Sequence, residues 1–382
     1  MLNSSPALRV AMIGAGFMGA AHSQGWRVAP SFFDLNGPVE MALLVGRDPE
    51  KTAAAAEQWG WAESGVDWRA AIAREDIDIV DIVTPGDSHA EIALAALAAG
   101  KHVLCEKPLA NTVAEAAEMT RAAERAEAAG VRSMVGFTYR RVPAVALARE
   151  LVRAGRIGTV RQVRASYLQD WLTEESDPLA WRLQREHAGS GALGDIGAHA
   201  IDLAQYITGD QIEGVSGTLQ TIVPERPLTA GGSHYGPVTV DDLALFTARF
   251  GPGYLGSFEA TRFATGRKNS LRIEIAGSRG ALSFDLESLN ELGLYDSTEP
   301  ATEQGFKRIM VTDPGHPYLE AWWPAGHLLG YEHGFSHQAR DLVLAIRAGE
   351  NPAPSFAEGL RVQRVLTAVE ESADNGSAWT TV

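Results

Sequence analysis

Short apolar runs and helix-period stretches take turns over the first third of the chain. Leu8–Ile13, Met41–Val45, Asp76–Val83, His102–Cys105 and Val131–Phe137 read as strands rich in aliphatic and β-branched residues. Between them, Met18–Val28, Pro49–Trp59, a stretch reaching about Ala99, and Ala110–Ala129 carry helical patterns. Asp48, then Asp87 or Ser88, then Asn111 or Thr112 stand where N-caps belong. This alternation predicts a parallel, doubly wound sheet over residues 1–137, a Rossmann arrangement within the α/β class.

The rhythm changes after Arg140. Val142–Ala154 reads as a helix entered at Pro143 and ended by Gly155. Long alternating runs follow at Val160–Gln169, Glu213–Val223, Val238–Phe250, Tyr254–Thr261, Leu271–Ala276 and Ala281–Phe284. Few helices separate them, so residues 138–382 are expected to form an α/β domain with a large, mostly antiparallel open sheet. The final helix, about Phe356–Ser372, is amphipathic and expected to pack back on the body, against the first domain.

Composition narrows the function classes. A chain of 382 residues with 45% hydrophobic and 21% charged content suits two globular domains. The net charge of −15 repels nucleic acid and anionic membrane, so a small-molecule substrate is the better partner. Cys105 is the single cysteine and follows apolar strand residues, which fits a buried, inert thiol in a reducing compartment. The N-terminal MLNSSPALRV has neither a basic nor an apolar leader segment, so a cytoplasmic location is expected.

The candidate chemistry begins at Gly14-Ala15-Gly16-Phe17-Met18-Gly19, a G-x-G-x-x-G set between a strand and a helix. Gly14 permits the turn, Gly16 lets backbone approach a pyrophosphate, and Gly19 lets helix and strand pack closely. The amides at Phe17 and Met18 open the helix and face the phosphates. The second strand ends in Gly46-Arg47-Asp48 rather than in the acid that holds ribose hydroxyls in NAD enzymes. Arg47 suits a 2′-phosphate, which leans towards NADP, while Asp48 reads as a helix cap. Thr84 and Pro85 lie where a nicotinamide cofactor crosses the sheet, with His89 just beyond as a contact or, more simply, a solvated helix-face residue.

Glu106-Lys107-Pro108 closes the strand His102–Cys105, at the carboxyl edge where ligands collect in open α/β sheets. Lys107 there is either a proton-handling group or a solvated side chain. The segment Gly189–Asp202, GSGALGDIGAHAID, places Asp195 and His199 four apart on one expected helix face. An Asp beside a His fixes its tautomer and raises its basicity, which suits proton transfer; an ordinary satisfied histidine is the competing reading. His187, Asp195 and His199 are ligand types without metal-motif spacing, so no metal is expected.

GAGFMG, CEKPLA and GSGALGDIGAHAID, in that order, resemble the Gfo/Idh/MocA family of nicotinamide-dependent sugar and cyclitol oxidoreductases. The likeness spans nearly the whole chain. FTYRRVPAVALA, YLQDW and EATRFATGRKN bring it nearest to the inositol- and levoglucosan-oxidising members. The resemblance implies an NAD- or NADP-dependent dehydrogenase acting on a secondary alcohol of a cyclitol or pyranose, with the nearest likeness favouring NAD. It implies that Lys107 is catalytic or substrate-orienting and that Asp195 and His199 are the family's Asp–His pair. His199 would take the alcohol proton while Lys107 stabilises the alkoxide, or the two would exchange roles. It also implies a homo-oligomer, dimer or tetramer, built through the open sheet. Tyr139, Arg140, Trp171 and Arg182 are expected at the substrate, each with a scaffold or core reading beside it. Glu106 is expected beside the cofactor. The family also includes glycoside-cleaving enzymes that oxidise a sugar transiently, and cofactor-binding regulators; the intact Lys107, Asp195 and His199 argue against the latter.

Overall fold

The structure, a computed structural model, describes residues 6–382. The chain divides into two compact units. The first takes the residues up to Thr138 together with Gly330–Arg361, and the second takes Tyr139–Leu329 with Val362–Val382.

In the first unit β1 (Leu8–Ile13), β2 (Val39–Val45), β3 (Glu63–Gly65), β4 (Ile79–Ile82), β5 (His102–Cys105) and β6 (Ser133–Val135) form a six-stranded sheet of order β3-β2-β1-β4-β5-β6. All neighbouring pairs run parallel. The order reverses between β1 and β4, and dinucleotides bind at such a switch point. Val10, Ala11, Met12, Leu44, Ile79, Ile82 and Val103 are buried, as expected of strands covered on both faces.

Helices α1 (Phe17–Phe32), α2 (Pro49–Trp59), α3 (Trp68–Ala73), α4 (His89–Ala98) and α5 (Val113–Glu127) connect the strands. The predicted start of α5 is realised as a capping box between Thr112 and Glu115. Asp48 caps α2 through the amides of Glu50 and Lys51, each at 3.1 Å. Ser88 does not cap α4: its hydroxyl donates to Thr84 Oγ1 at 2.7 Å and to the Pro85 carbonyl at 2.9 Å. Helix α1 runs past Pro30 to Phe32, longer than its pattern, because Ala29 and Phe33 are drawn into the core. Helix His333–Ala348 completes the unit against α1, where a Cβ on Gly25 would lie 2.7 Å from the Phe335 carbonyl.

The second unit begins with α6 (Pro143–Arg153) and β7 (Val160–Leu168), then the single turn α7 (Arg185–Ala188) and helix α8 (Ala198–Thr208). Strands β8 (Ile212–Gln220), β9 (Glu225–Pro227), β10 (Tyr235–Pro237), β11 (Leu243–Phe250), β12 (Leu255–Thr261), β13 (Ser270–Gly277), β14 (Gly280–Asp285), β15 (Glu291–Asp296), β16 (Lys307–Met310) and β17 (Thr380–Thr381) follow. Nine of them form one sheet of order β16-β15-β14-β13-β7-β12-β11-β8-β17, while β9 and β10 pair separately. Only β7 and β12 pair in parallel, so the sheet is mostly antiparallel. Strand β11 alternates buried and exposed residues, its buried side carrying Ala244, Phe246, Ala248 and Phe250. The Phe246 and Phe258 rings stack at 4.7 Å within that layer. Fully burying one such side chain contributes about 1.5–3 kcal/mol. Helix α8 packs against β7 and β13. None of the described helices is long and apolar enough to cross a membrane.

Candidate active site

Each unit concentrates candidate residues of its own. In the first, the glycine turn leaves β1 at the carboxyl edge of the sheet. Gly14 has φ +122°, and a Cβ on it would lie 2.8 Å from the Val83 carbonyl oxygen. A Cβ on Gly19 would lie 2.6 Å from the Gly14 carbonyl, so α1 seats against the turn only without a side chain. Gly16 differs: a Cβ there would meet nothing within 4 Å. It is also the N-cap of α1 and offers no side-chain acceptor to the helix amides. Open space in front of an uncapped helix N-terminus fits a pyrophosphate. Phe17 is 70% exposed and Met18 half-buried, so their share in this cradle is their backbone N–H groups.

Gly46 lacks the usual acid for a packing reason. A Cβ there would collide with the Thr52 hydroxyl, which donates to the Asp48 carbonyl at 2.6 Å. Arg47 beside it is exposed. Thr84 and Pro85 are half-buried beyond β4. His89 corrects its helix-face reading. It is 1% exposed, with Nδ1 3.0 Å from the Pro108 carbonyl and Nε2 2.9 Å from the Thr84 carbonyl. Each ring nitrogen thus faces a backbone carbonyl, which fixes the ring between the Thr84 and Pro108 segments.

Lys107 is half-buried just past β5, and the Lys107–Pro108 peptide is cis. Glu106 before it is buried and turned inward. Its Oε1 lies 3.0 Å from His22 Nε2, and its Oε2 accepts the Lys107 amide at 3.1 Å. His22 Nδ1 in turn lies 2.9 Å from Asp81 Oδ2, which also accepts from Trp26 Nε1 at 2.7 Å. Burial opposes charge on His22, but the adjoining carboxylates of Asp81 and Glu106 outweigh it and raise the imidazole to about 10. Cys105 is buried, and burial with the Glu106 and Asp81 charges pushes its thiol well up, in keeping with an inert residue. Sequence reasoning missed His22 and Asp81. Their signal was a histidine and an acid inside runs that pattern alone marks as apolar.

In the second unit, Asp195 and His199 flank the junction between a π-turn, Leu193–Gly197, and α8. The expectation was a plain helix; a π-turn here is a known mark of functional sites. Asp241 holds its entry, accepting from Gly191 N at 2.7 Å and Leu193 N at 2.8 Å. Gly191 passes so close to the Asp241 carbonyl that a Cβ would collide with it. Asp195 and His199 are both half-buried. Arg262, fully buried, brings Nη1 to 3.7 Å from Asp195 Oδ2 and donates Nη2 to the Asp241 carbonyl at 3.0 Å.

His199 packs its ring against Tyr139 at 4.5 Å and Tyr167 at 5.9 Å. Tyr167 donates to Asn269 Oδ1 at 2.7 Å, and its oxygen lies 2.8 Å from that of Tyr139. With its one proton on Asn269, Tyr167 accepts from Tyr139. Gln169 Nε2 also donates to Asn269 Oδ1, at 2.8 Å, and Trp171 Nε1 donates to Gln169 Oε1 at 2.9 Å. A continuous polar chain therefore runs from the His199 ring contact to the indole of Trp171. That indole is 42% exposed, so the core reading of Trp171 fails. Tyr167 and Gln169, two apart on one strand direction, were missed along with Asn269, Asp241 and Arg262.

Two expected substrate residues have protein partners of their own. Arg140 is buried and bonds both oxygens of buried Asp202, with Nε to Oδ2 at 2.9 Å, and its guanidinium lies 4.9 Å from the Tyr206 ring. That is the scaffold arrangement, since a bidentate pair commits the planar fork. Arg182 lies over the Trp181 ring at 4.4 Å. His187 is paired with Glu186 at 3.4 Å, and no three or more metal-ligating side chains cluster among the described residues.

A glycine cradle at a Rossmann switch point and a histidine among hydrogen-bonded tyrosines define an oxidoreductase of the dinucleotide-binding class. Two family models agree. An oxidoreductase family with an NAD-binding Rossmann fold matches residues 8–137, and the GFO/IDH/MocA C-terminal domain matches residues 145–283. The chain belongs to the Gfo/Idh/MocA family. It is 42% identical to levoglucosan dehydrogenase of Pseudarthrobacter phenanthrenivorans over 96% of each chain. Solved structures agree. An oxidoreductase domain protein from Kribbella flavida has a TM-score of 0.96 at 61% identity, covering 99% of this chain and 100% of that one. Levoglucosan dehydrogenase in complex with NADH and levoglucosan has a TM-score of 0.94 at 42% identity, covering 99% of both chains.

Proposed function

We propose that this protein oxidises a secondary alcohol of a pyranose of the levoglucosan kind, with NAD as hydride acceptor. The observation that carries this reading is the hydrogen-bonded chain from Tyr139 through Tyr167, Asn269 and Gln169 to the exposed Trp171, beside His199. Polyol rings need polar groups placed against an aromatic face, and this chain offers both. The NADH and levoglucosan complex of the 42%-identical relative supports the choice of substrate and of NAD.

When bound, the nicotinamide supplies the hydride-accepting carbon. In this reading Gly14, Gly16 and the amides of Phe17 and Met18 hold the pyrophosphate, and Thr84 and Pro85 border the nicotinamide. Arg47 is the residue that would serve a 2′-phosphate if NADP were used. His199, with Asp195 as its orienting acid, takes the alcohol proton. Lys107 donates to the alkoxide as it forms. Arg262 sets its guanidinium 3.7 Å from Asp195 Oδ2, on the acid that orients His199. Copies associate through the solvent face of the nine-stranded sheet, where Leu245 and Leu255 are exposed, and sedimentation velocity tests that.

The decisive experiment follows nicotinamide absorbance with NAD and NADP in parallel. The panel is levoglucosan, simple pyranosides, myo-inositol and other cyclitols. Levoglucosan or a near pyranoside should turn over with NAD, and Lys107→Ala and His199→Ala should each lose about 10²–10⁴ of the rate while remaining folded. Full activity in both variants would refute the assignment of roles. Glycoside cleavage without net nicotinamide reduction would replace simple dehydrogenation with transient oxidation.

A further inference from the structure

Two buried histidines bracket the loop that carries Lys107. His22, on the buried face of α1, is 2% exposed and contacts Asp81 through Nδ1 and Glu106 through Nε2. Glu106 uses its other oxygen to accept the Lys107 amide at 3.1 Å. On the far side, His89 Nδ1 lies 3.0 Å from the carbonyl of Pro108, and Nε2 lies 2.9 Å from the carbonyl of Thr84. The residue before Lys107 is thus held by its side chain and the residue after it by its carbonyl.

A core filler would not be built this way. His22 faces a carboxylate on each nitrogen, so only the imidazolium, with two N–H groups, satisfies both. Burying that charge carries a desolvation cost, which the paired carboxylates of Asp81 and Glu106 offset. The arrangement ends at the backbone flanking one lysine. We propose that His22 and His89 are positioning residues that fix the chain on both sides of Lys107 and so aim its ammonium group. The inference rests on the catalytic role given to Lys107 above.

The test uses the full-length protein with His22→Gln, His89→Gln and the double variant His22→Gln/Asp81→Asn. The double variant removes one of the two carboxylates that lose their cation in His22→Gln and leaves Glu106 in place, so the net charge of the cluster stays that of the native protein. Hydrogen–deuterium exchange of the peptide spanning Lys107, NADH binding by fluorescence, and kcat and KM on the active sugar are measured together. Exchange around Lys107 should quicken about tenfold or more. Turnover should fall about 10–100-fold, as misplacement of a reacting group by an ångström does. NADH affinity and sugar KM should stay within about threefold, a kcat effect rather than a binding one. Native-like exchange and kcat in folded variants would overturn the proposal, as would a loss confined to KM or NADH binding. Absence of turnover in the native protein would sink the dehydrogenase reading alone, because the exchange experiment still judges the bracket.

Discussion

Titrating His22 should weaken this protein at a pH where surface histidines are already neutral. In the unfolded chain its imidazole gives up its proton near 6.5, whereas between Asp81 and Glu106 it holds it to about 10. Below 6.5 both states carry the charge and the stabilisation is complete. Between 6.5 and 10 the folded state must keep a proton that the unfolded state has released, so stability falls by about 1.4 kcal/mol per pH unit. The whole window is worth about 5 kcal/mol, and above it the contribution is gone. Typical domains have only about 5–15 kcal/mol in total. The groups facing His22 are Asp81 on β4, Glu106 just past β5 and the Phe335 ring at 5.3 Å, while Trp26 on its own helix donates to Asp81. Urea unfolding at intervals from about pH 6 to pH 10.5, native against His22→Gln, isolates the effect because lysine and tyrosine titrations cancel in the difference. The stability gap should narrow steadily with rising pH. Parallel curves, or an NMR midpoint for His22 in the ordinary range, would refute the reasoning.

Two further tests separate backbone geometry from ligand space. Gly14→Ala should lower unfolding stability by about 1–3 kcal/mol, since its Cβ meets the Val83 carbonyl at a positive φ. Gly16→Val should leave melting within about 0.5 kcal/mol of native while weakening NADH binding about tenfold or more, because its side chain enters open space before the α1 amides. Arg140→Met should destabilise the second unit by about 3–5 kcal/mol by removing the bidentate guanidinium from the buried Asp202 carboxylate. Adding Asp202→Leu should recover most of the loss, and thermal unfolding of the two variants checks both steps.

The doubly wound sheet was legible because strands buried on two faces are continuous apolar runs punctuated by capped helices. Strand β3, Glu63-Ser64-Gly65, was invisible: it is an edge strand of three mostly exposed residues that exists through its pairing with β2. Strand β16, Lys307-Arg308-Ile309-Met310, escaped for the same reason at the sheet's edge, and β15 beside it went unread although it is paired on both sides. The alternation in β7 and β12 announced strands but not that they lie side by side in parallel, since order in a sheet is decided by packing between distant segments.

Within the candidate site the same division holds on a finer scale. The Gly14–Gly19 turn could be read because its chemistry is backbone conformation, and glycine spacing states conformation directly. His89 was read most simply as a solvated helix-face residue, although it is buried. Helical spacing tells which residues share a face, whereas the contacts made on burial come from elsewhere: for His89 they are carbonyls at Thr84 and Pro108. His22 is the extreme case. Its partners stand 59 and 84 residues away, and each of the three residues looks like a local anomaly in an apolar context. A charged residue inside an apolar run is therefore better treated as half of a pair and matched first against other such anomalies, backbone carbonyls being the alternative partners, as for His89. By that rule His22, Asp81 and Glu106 point to one another before any coordinate is known. The rule also applies to Arg140 and Asp202, which form a buried pair in the second unit.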